Sequence, residues 1–415
     1  MISKINNHSK NKLLIYFLIY LTFIASFVFG ENSSGGSHRD FLAMQMYLDQ
    51  ISINFKQGIA LFFEEGQGHS PVFYIIKSGL ENVFTKTASD VLILTLGFSI
   101  PLVFYSILKK QFIGCNKNLL FLISLTLYLS PYIRSSAAWA TNDNLGILFF
   151  ALSISKFLTY RKSQNKNLKS IFLCFFFIVM ASYIRQYYVI ITLAYCMFLY
   201  KNISVKYFFY LGIFSFLISI PGLIYTYYFF ISNFDYAAKG FTSPDIIFNL
   251  LIFFNLYLFY IFPFFFQFET LNTFKNFYDD KKLYIMVTVI VFIIIYLFYN
   301  LPIVQFGGGI NYKIYQFLES ELFFIFSSFM GVLLILLTVN LDFKNLLTLT
   351  LFFFMFPFSI IYQKYYDPIM IIMFFGFIQS DLMRNKIKLN KSNMIFVFAY
   401  FLIFLIGSNI YYLNI

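Results

Sequence analysis

The chain has 415 residues, of which 60% are hydrophobic and only 12% charged, with a formal net charge of +12. Soluble domains carry roughly 45–50% apolar and about 25% charged residues, so this chain has too little polar surface for a water-soluble fold. The basic balance would suit nucleic acid, but its distribution along the chain excludes that partner.

Crossing a bilayer takes about 17–25 apolar residues. Runs of that kind, some shorter, occur at 13–30, 89–108, 118–133, 144–160, 170–184, 187–200, 207–231, 246–267, 283–300, 322–339, 345–362, 368–382 and 393–410. The expected fold is therefore all-α: a multi-pass integral membrane protein of about thirteen transmembrane helices, forming one domain over 1–415. The 170–200 block reads either as two short helices or as one kinked pair. Residues 1–30 resemble a signal peptide, with lysines, an apolar core and Gly30 before Glu31. The core is long for that role, and a retained first helix is expected.

With the N-terminus inside, the outside receives only Arg39, Lys56, Lys77, Lys86, Arg134, Arg185, Lys239, Lys313 and Lys364 of the 30 Lys and Arg residues. Basic loops on one side orient the chain and face anionic membrane lipids. That accounts for the charge without nucleic acid. Most acids fall on the opposite side. Cys115, Cys174 and Cys196 show no CxxC spacing and read as neither a metal site nor a disulfide framework.

The first outside loop, 31–88, is the longest. After ENSSGGSHRD comes FLAMQMYLDQISINF, whose Leu42, Met46 and Ile53, extended by Ala43 and Tyr47, make an apolar face for an interfacial helix. Asp40 opens that helix. It reads either as its N-terminal cap or as a catalytic carboxylate just beyond the first span. GQGHSPVFYIIKSGL follows, in which Gly66 and Gly68 allow tight turns and Pro71 can start a helix. His69 there reads as solvated, or as a group that binds phosphate or orients a carboxylate.

The next outside loop, RSSAAWATND, brings Arg134, Trp139, Asn142 and Asp143 within ten residues. Trp139 suits an aromatic belt, and Asp143 either caps the next helix or positions a substrate. Arg185-Gln186 interrupts two apolar runs. An arginine near membrane depth needs a partner and a cavity, and its fork suits phosphate. Lys239, Lys313 and Lys364 in later loops bind phosphate or cap helices. The Gly307-Gly308-Gly309 run lacks the GK[ST] of a phosphate loop and reads as a turn.

This order of features resembles the GT-C superfamily of polytopic glycosyltransferases. A span is followed by an Asp in a long outside loop, then a (H/K)-x-P-x-x-Y element, then a second span. His69-Ser70-Pro71-Val72-Phe73-Tyr74 is similar to the "hPPLYY" element of the protein-mannosyltransferase and lipid A aminoarabinose-transferase branches. The dolichyl-phosphate-glucose glucosyltransferases offer a second resemblance. Asp40, Pro71 to Tyr74, Arg185-Gln186 and Lys364-Tyr365-Tyr366-Asp367-Pro368 stand in the order of their elements. Phe41 replaces that family's second acid, and the proline element is diverged.

The resemblance implies transfer of a sugar from a polyprenyl-phosphate donor to a hydroxyl of a glycan, lipid or protein acceptor on the extracytoplasmic face. The membrane would be the plasma membrane of a bacterium or the endoplasmic reticulum of a eukaryote. It implies Asp40 as catalytic base, Arg185, Lys364 and Arg134 on the donor phosphate, and His69, Asp143, Gln186 and Tyr74 as acceptor or positioning residues. No cofactor is certain, and a divalent metal, Mg or Mn, is left open. The alternatives are a polysaccharide polymerase or ligase, whose working loop usually comes late in the chain, and a lipid-linked glycan flippase or transporter. The latter predicts internal repeats and broken helices in both halves, which the sequence lacks.

Overall fold

The computed structural model describes residues 2–35, 37–64, 70–163, 167–200, 202–232, 245–266, 271–304, 307–356, 361–388 and 394–413. Every regular element among them is helical. In chain order these are α1 (Ile2–Val28), α2 (Ser37–Ile53), α3 (Phe55–Glu64), α4 (Val72–Val83), α5 (Lys86–Phe98), α6 (Ile100–Gln111) and α7 (Lys117–Leu125). Next come α8 (Pro131–Ala138), α9 (Asp143–Lys162), α10 (Leu168–Ile184), α11 (Ile191–Leu199), α12 (Val205–Ser232), α13 (Ile246–Phe265) and α14 (Leu271–Phe298). The last are α15 (Gly309–Leu318), α16 (Glu321–Thr338), α17 (Phe343–Phe354), α18 (Gln363–Tyr366), α19 (Ile369–Gly376), α20 (Asp381–Lys388) and α21 (Met394–Leu413).

Polar residues set many of the boundaries. Asn116 caps α7, accepting from the backbone N–H groups of Asn118 and Leu119, and Ser130 caps α8, where Pro131 takes a first-turn position. Asn167, Asp245, Ser320 and Asp342 do the same for α10, α13, α16 and α17. Each supplies an acceptor to an N–H that the first helical turn leaves unmade.

Among the described residues, seven helices are long and apolar enough to cross a membrane: Asn11–Val28, the α5–α6 pair Lys86–Gln111, Val205–Tyr228, Ile246–Phe265, Asp280–Phe298, Glu321–Thr338 and Met394–Tyr412. An eighth is formed if Lys117–Leu129 and Pro131–Ala138, bent by 59°, count as one. The protein is thus a multi-pass, helical, membrane-embedded chain with fewer full-length spans than the thirteen apolar runs expected. The shortfall has a physical source. The run at 368–382 holds only α19, whose eight residues are all buried. Its apolarity serves the protein core, as short apolar runs often do. The runs at 170–184 and 187–200 become two short apolar helices, Leu168–Ile184 and Gln186–Leu199.

α19 packs against α6, α9 and α13, so the chain's last third closes on its first. The α13 window is 67% buried, whereas those of α12 and α14 are each 6% buried and present their apolar faces outward. α13 and α16 approach so closely at Gly331 that a Cβ there would lie 2.1 Å from the Phe254 carbonyl oxygen. Asn255 bridges this contact, donating to the Phe324 carbonyl at 3.3 Å and accepting from Asn311 at 2.9 Å. Small residues and interhelical hydrogen bonds are how helices associate in lipid, where burial against apolar tails gains little.

Within the first loop, α2 turns Met44, Tyr47, Leu48 and Ile51 inward. Leu42, Met46 and Ile53 stay exposed, at 57%, 46% and 80%. The apolar face expected at the membrane surface is therefore unpartnered by protein. Tyr47, expected on that face, belongs to the core.

Candidate functional site

Four segments distant in sequence meet at one end of the bundle. α9 and α10 are antiparallel neighbours, so the end of α10 lies beside the start of α9. Arg185 leaves the helix there in extended conformation, as the cap of α10. Its guanidinium closes on Asp143, with Nη2 at 2.6 Å and Nε at 2.8 Å from Oδ1, and Nη2 also donates to the Asn142 amide oxygen at 3.1 Å. Asn142, not Asp143, occupies the cap position of α9. The Asp143 carboxylate instead serves the arginine, within the favourable field of the helix start.

The second pair joins the two ends of the chain. Asp40 lies in the first turn of α2 rather than at its cap, and Lys364 Nζ donates to its Oδ2 at 3.1 Å. Lys364 is placed by the residue before it. The Gln363 amide donates to the Tyr260 hydroxyl at 2.9 Å, and its oxygen accepts from the Ile310 N–H at 2.9 Å. Gly308 N–H reaches the Ile361 carbonyl at 2.9 Å, with Gly308 at φ +75°, a conformation that favours glycine. The triple-glycine turn therefore braces the strand of chain that presents Lys364.

The two pairs form one electrostatic centre. Burial pulls the Lys364 ammonium down, but Asp143 and Asp40 outweigh it and the opposing Arg185, and the pKa is raised. Burial likewise disfavours the charged Arg185, and Asp143 reverses the effect. Tyr74 stands in the same field. Burial pushes its phenol up to about 12, Arg185 pulls against the rise, and Asp40 and Asp143 add to it. The rings of Tyr187 and Tyr365, 6.2 Å apart, flank the centre. The site is thus a partly open cluster of two carboxylates and two cations, walled by phenols. Asp40 and Lys364 keep 42% and 29% of their side-chain surface. All four charges come from loops that the Lys/Arg distribution puts on the same side.

The remaining expected site residues fall elsewhere. Arg134 is engaged by Glu31, with Nη2 2.9 Å from Oε2 and Nε 3.2 and 3.1 Å from the two carboxylate oxygens, and it also reaches Thr22 and Ser26. Burial alone would raise the Glu31 pKa; Arg134 outweighs it and holds the carboxyl low. Trp139 Nε1 donates to the Glu31 carbonyl at 3.1 Å, and its ring lies under His38, centroids 4.3 Å apart. This tryptophan packs the first loop onto the bundle. Gln186 is half-buried at the start of a 3-10 turn after Arg185. His69 lies outside the described residues.

Two further charged groups lie near the site, neither assigned a role from the sequence. Lys77 is fully buried, 2.8 Å from Asp90, with its ammonium 5.4 Å from the Phe41 ring centre. Asp367, one turn beyond Lys364, is 2% exposed, and one carboxyl oxygen has no partner. Burial pushes its pKa up to about 7, against hydrogen bonds from Ser130 and Tyr260. As for a metal, Asp40 and Asp143 each already face a cation. Among the described residues, no three His, Cys, Asp or Glu side chains converge, so the donor set does not make a metal cluster. No protein-family model, curated protein or solved structure matches the chain.

Proposed function

We propose that the Asp40–Lys364–Asp143–Arg185 centre transfers a sugar from a polyprenyl-phosphate donor to an acceptor hydroxyl at the extracytoplasmic face, as a GT-C-type glycosyltransferase. One observation carries this reading: a partly exposed carboxylate and two phosphate-suited cations, drawn from separate loops, lie within one another's electrostatic reach. Transfer from a lipid phosphate needs both. Asp40, the more exposed acid, takes the proton of the acceptor hydroxyl as general base. Arg185 and Lys364 meet the negative charge that develops on the departing phosphate. Asp143 positions Arg185, and the Tyr74, Tyr187 and Tyr365 phenols are placed to orient the sugar.

The resting pairing has a mechanistic consequence. While Lys364 is bonded to Asp40, the base is partly masked. A donor phosphate competes for Lys364 and uncovers the carboxylate, so donor binding precedes proton removal.

The test is transfer from radiolabelled polyprenyl-phosphate sugars in membranes carrying the wild-type or Asp40→Asn chain. A positioned base is worth about 10²–10⁴ in rate. The variant should lose that much and still fold. Wild-type-like transfer by Asp40→Asn removes the assignment, and absence of any sugar release by the wild type across donors removes the enzyme reading.

A further inference from the structure

The opposite end of the bundle holds a second polar centre that sugar transfer does not use. The end of α6, the segment 374–380 and the first turn of α20 enclose a cleft of about 30 Å³, room for roughly two waters. Its polar lining is Gln111, Gln379, Ser380, Asp381 and Arg384. Gln111 is 4% exposed, and its Oε1 is buried with no donor. Buried amide oxygens are almost always satisfied, so this one marks a place for an incoming N–H or O–H.

Cations crowd the same cleft. Lys162 Nζ donates to the Gln111 backbone carbonyl at 3.3 Å. Arg384 lines the cleft, and Arg161 lies in its field. Burial, then Arg384, pulls the Arg161 pKa down; burial, then Arg161 and Arg384, does the same to Lys162. Asp381 lines the same cleft and accepts from the Asn340 amide at 2.7 Å. Lys110 is turned aside, donating to the Ser155 carbonyl at 2.9 Å. Arg161 and Lys162 are half-buried and Arg384 is exposed at the cleft, and such like charges repel one another unless an anion sits among them.

We propose that this cleft binds a phosphate ester carrying a hydroxyl, the headgroup chemistry of an anionic phospholipid on the inner leaflet. Arg161, Lys162 and Arg384 meet the phosphate oxygens, and Gln111 Oε1 accepts from the hydroxyl. Such basic clefts between membrane helices are suited to anionic headgroups.

The full chain in phosphatidylcholine nanodiscs, with and without phosphatidylglycerol, supplies the test, read as the thermal unfolding midpoint. Phosphatidylglycerol should raise the midpoint by several degrees. The Arg161→Gln/Arg384→Gln double variant should lose that increment. In phosphatidylcholine alone it should unfold at or above the wild-type midpoint, because the mutual repulsion is gone. Lys109→Gln removes a cation that stacks on Tyr105 and should keep the increment. An equal increment from glycerol 3-phosphate in phosphatidylcholine nanodiscs supports the same site and assigns it to a soluble ester. The proposal is overturned if neither phosphate shifts the midpoint, if Lys109→Gln loses the increment equally, or if the double variant is less stable in phosphatidylcholine.

Discussion

At the end of the bundle that the Lys/Arg distribution expects to be outer, Asp40 and Asp143 each face a cation, whereas at the end expected to be inner Arg161, Lys162 and Arg384 lie in one another's field. Both ends are rich in charge, but they respond to loss of a charge with opposite sign. Removing a member of the more buried Arg185–Asp143 pair strands its partner, which costs more than the pair contributes. Removing an inner cation relieves repulsion. The outer end is therefore assembled before any ligand arrives, which is what a reaction centre needs. The proposed anion would complete the inner end. The two ends should also be separable by mutation: Asp40→Asn should cost sugar transfer about 10²–10⁴-fold, and Arg384→Gln, at the other end, should leave the transfer rate unchanged. A rate that falls equally in both would mean that the two ends are not independent.

The next largest effect concerns folding. Arg134 was expected at the donor phosphate, yet its guanidinium is held by Glu31, Thr22 and Ser26, tying α8 to the end of α1. Breaking a buried pair by removing one partner costs about 3–5 kcal/mol. Arg134→Gln should destabilise by that order, and Glu31→Gln added to it should recover part of the loss. Unfolding of the two single variants and the double variant forms the cycle that measures this. Additive losses would show that the pair is not a unit.

What the sequence made legible, and what it hid, follows from the range of each signal. Arg185 stood out because an arginine near membrane depth is costly and needs a partner, whereas Asp40, Asp143 and Lys364 were singled out by their place in loops on one side and by the order of elements that the resemblance supplied. Their pairing was not visible, because it joins residues 324 positions apart for Asp40 and Lys364, and one sequence carries no distance information of that kind. The glycine run was readable as a turn, but not as the brace for Lys364. Apolar runs outnumber the full-length spans among the described residues because such runs do not distinguish a lipid-facing helix from a core helix such as α19. Arg134 and Arg185 look alike in sequence; only the neighbouring acid, one well buried and the other at a partly open cluster, separates a strut from a site residue.

Asp367 is an acid that meets no cation among the described residues. Its carboxyl faces Ser130 and Tyr260, with Tyr132 also in its field, and burial raises it from 3.8 to about 7. The folded state therefore binds more protons than the unfolded state between these values. Stability must fall as pH rises from about 4 to about 7 and stay lowered above. Asp367→Asn cannot ionise. It should flatten that part of the stability–pH curve and stabilise the protein at pH 8 by up to about 4 kcal/mol. Unfolding midpoints of the wild type and variant at pH 5 and pH 8 check this. A variant less stable than the wild type at pH 8 would mean that the carboxylate is compensated after all.

The smallest effect bears most directly on how the outer end works. If Lys364 is shared between Asp40 and the donor phosphate, losing Asp40 frees the lysine. Asp40→Asn should then bind polyprenyl phosphate more tightly than the wild type while failing to transfer sugar. Partly exposed pairs of this kind are worth about 0.2–1 kcal/mol, so the gain should be only a few-fold, and Lys364→Gln in the same background should erase it. Equilibrium binding of a fluorescent polyprenyl phosphate to the two variants and the wild type resolves the sign. A merely structural Asp40–Lys364 bond predicts weaker or unchanged binding in Asp40→Asn, because α2 would lose its tie to the segment carrying Lys364. Tighter binding with lost transfer is the outcome that only a contested lysine produces.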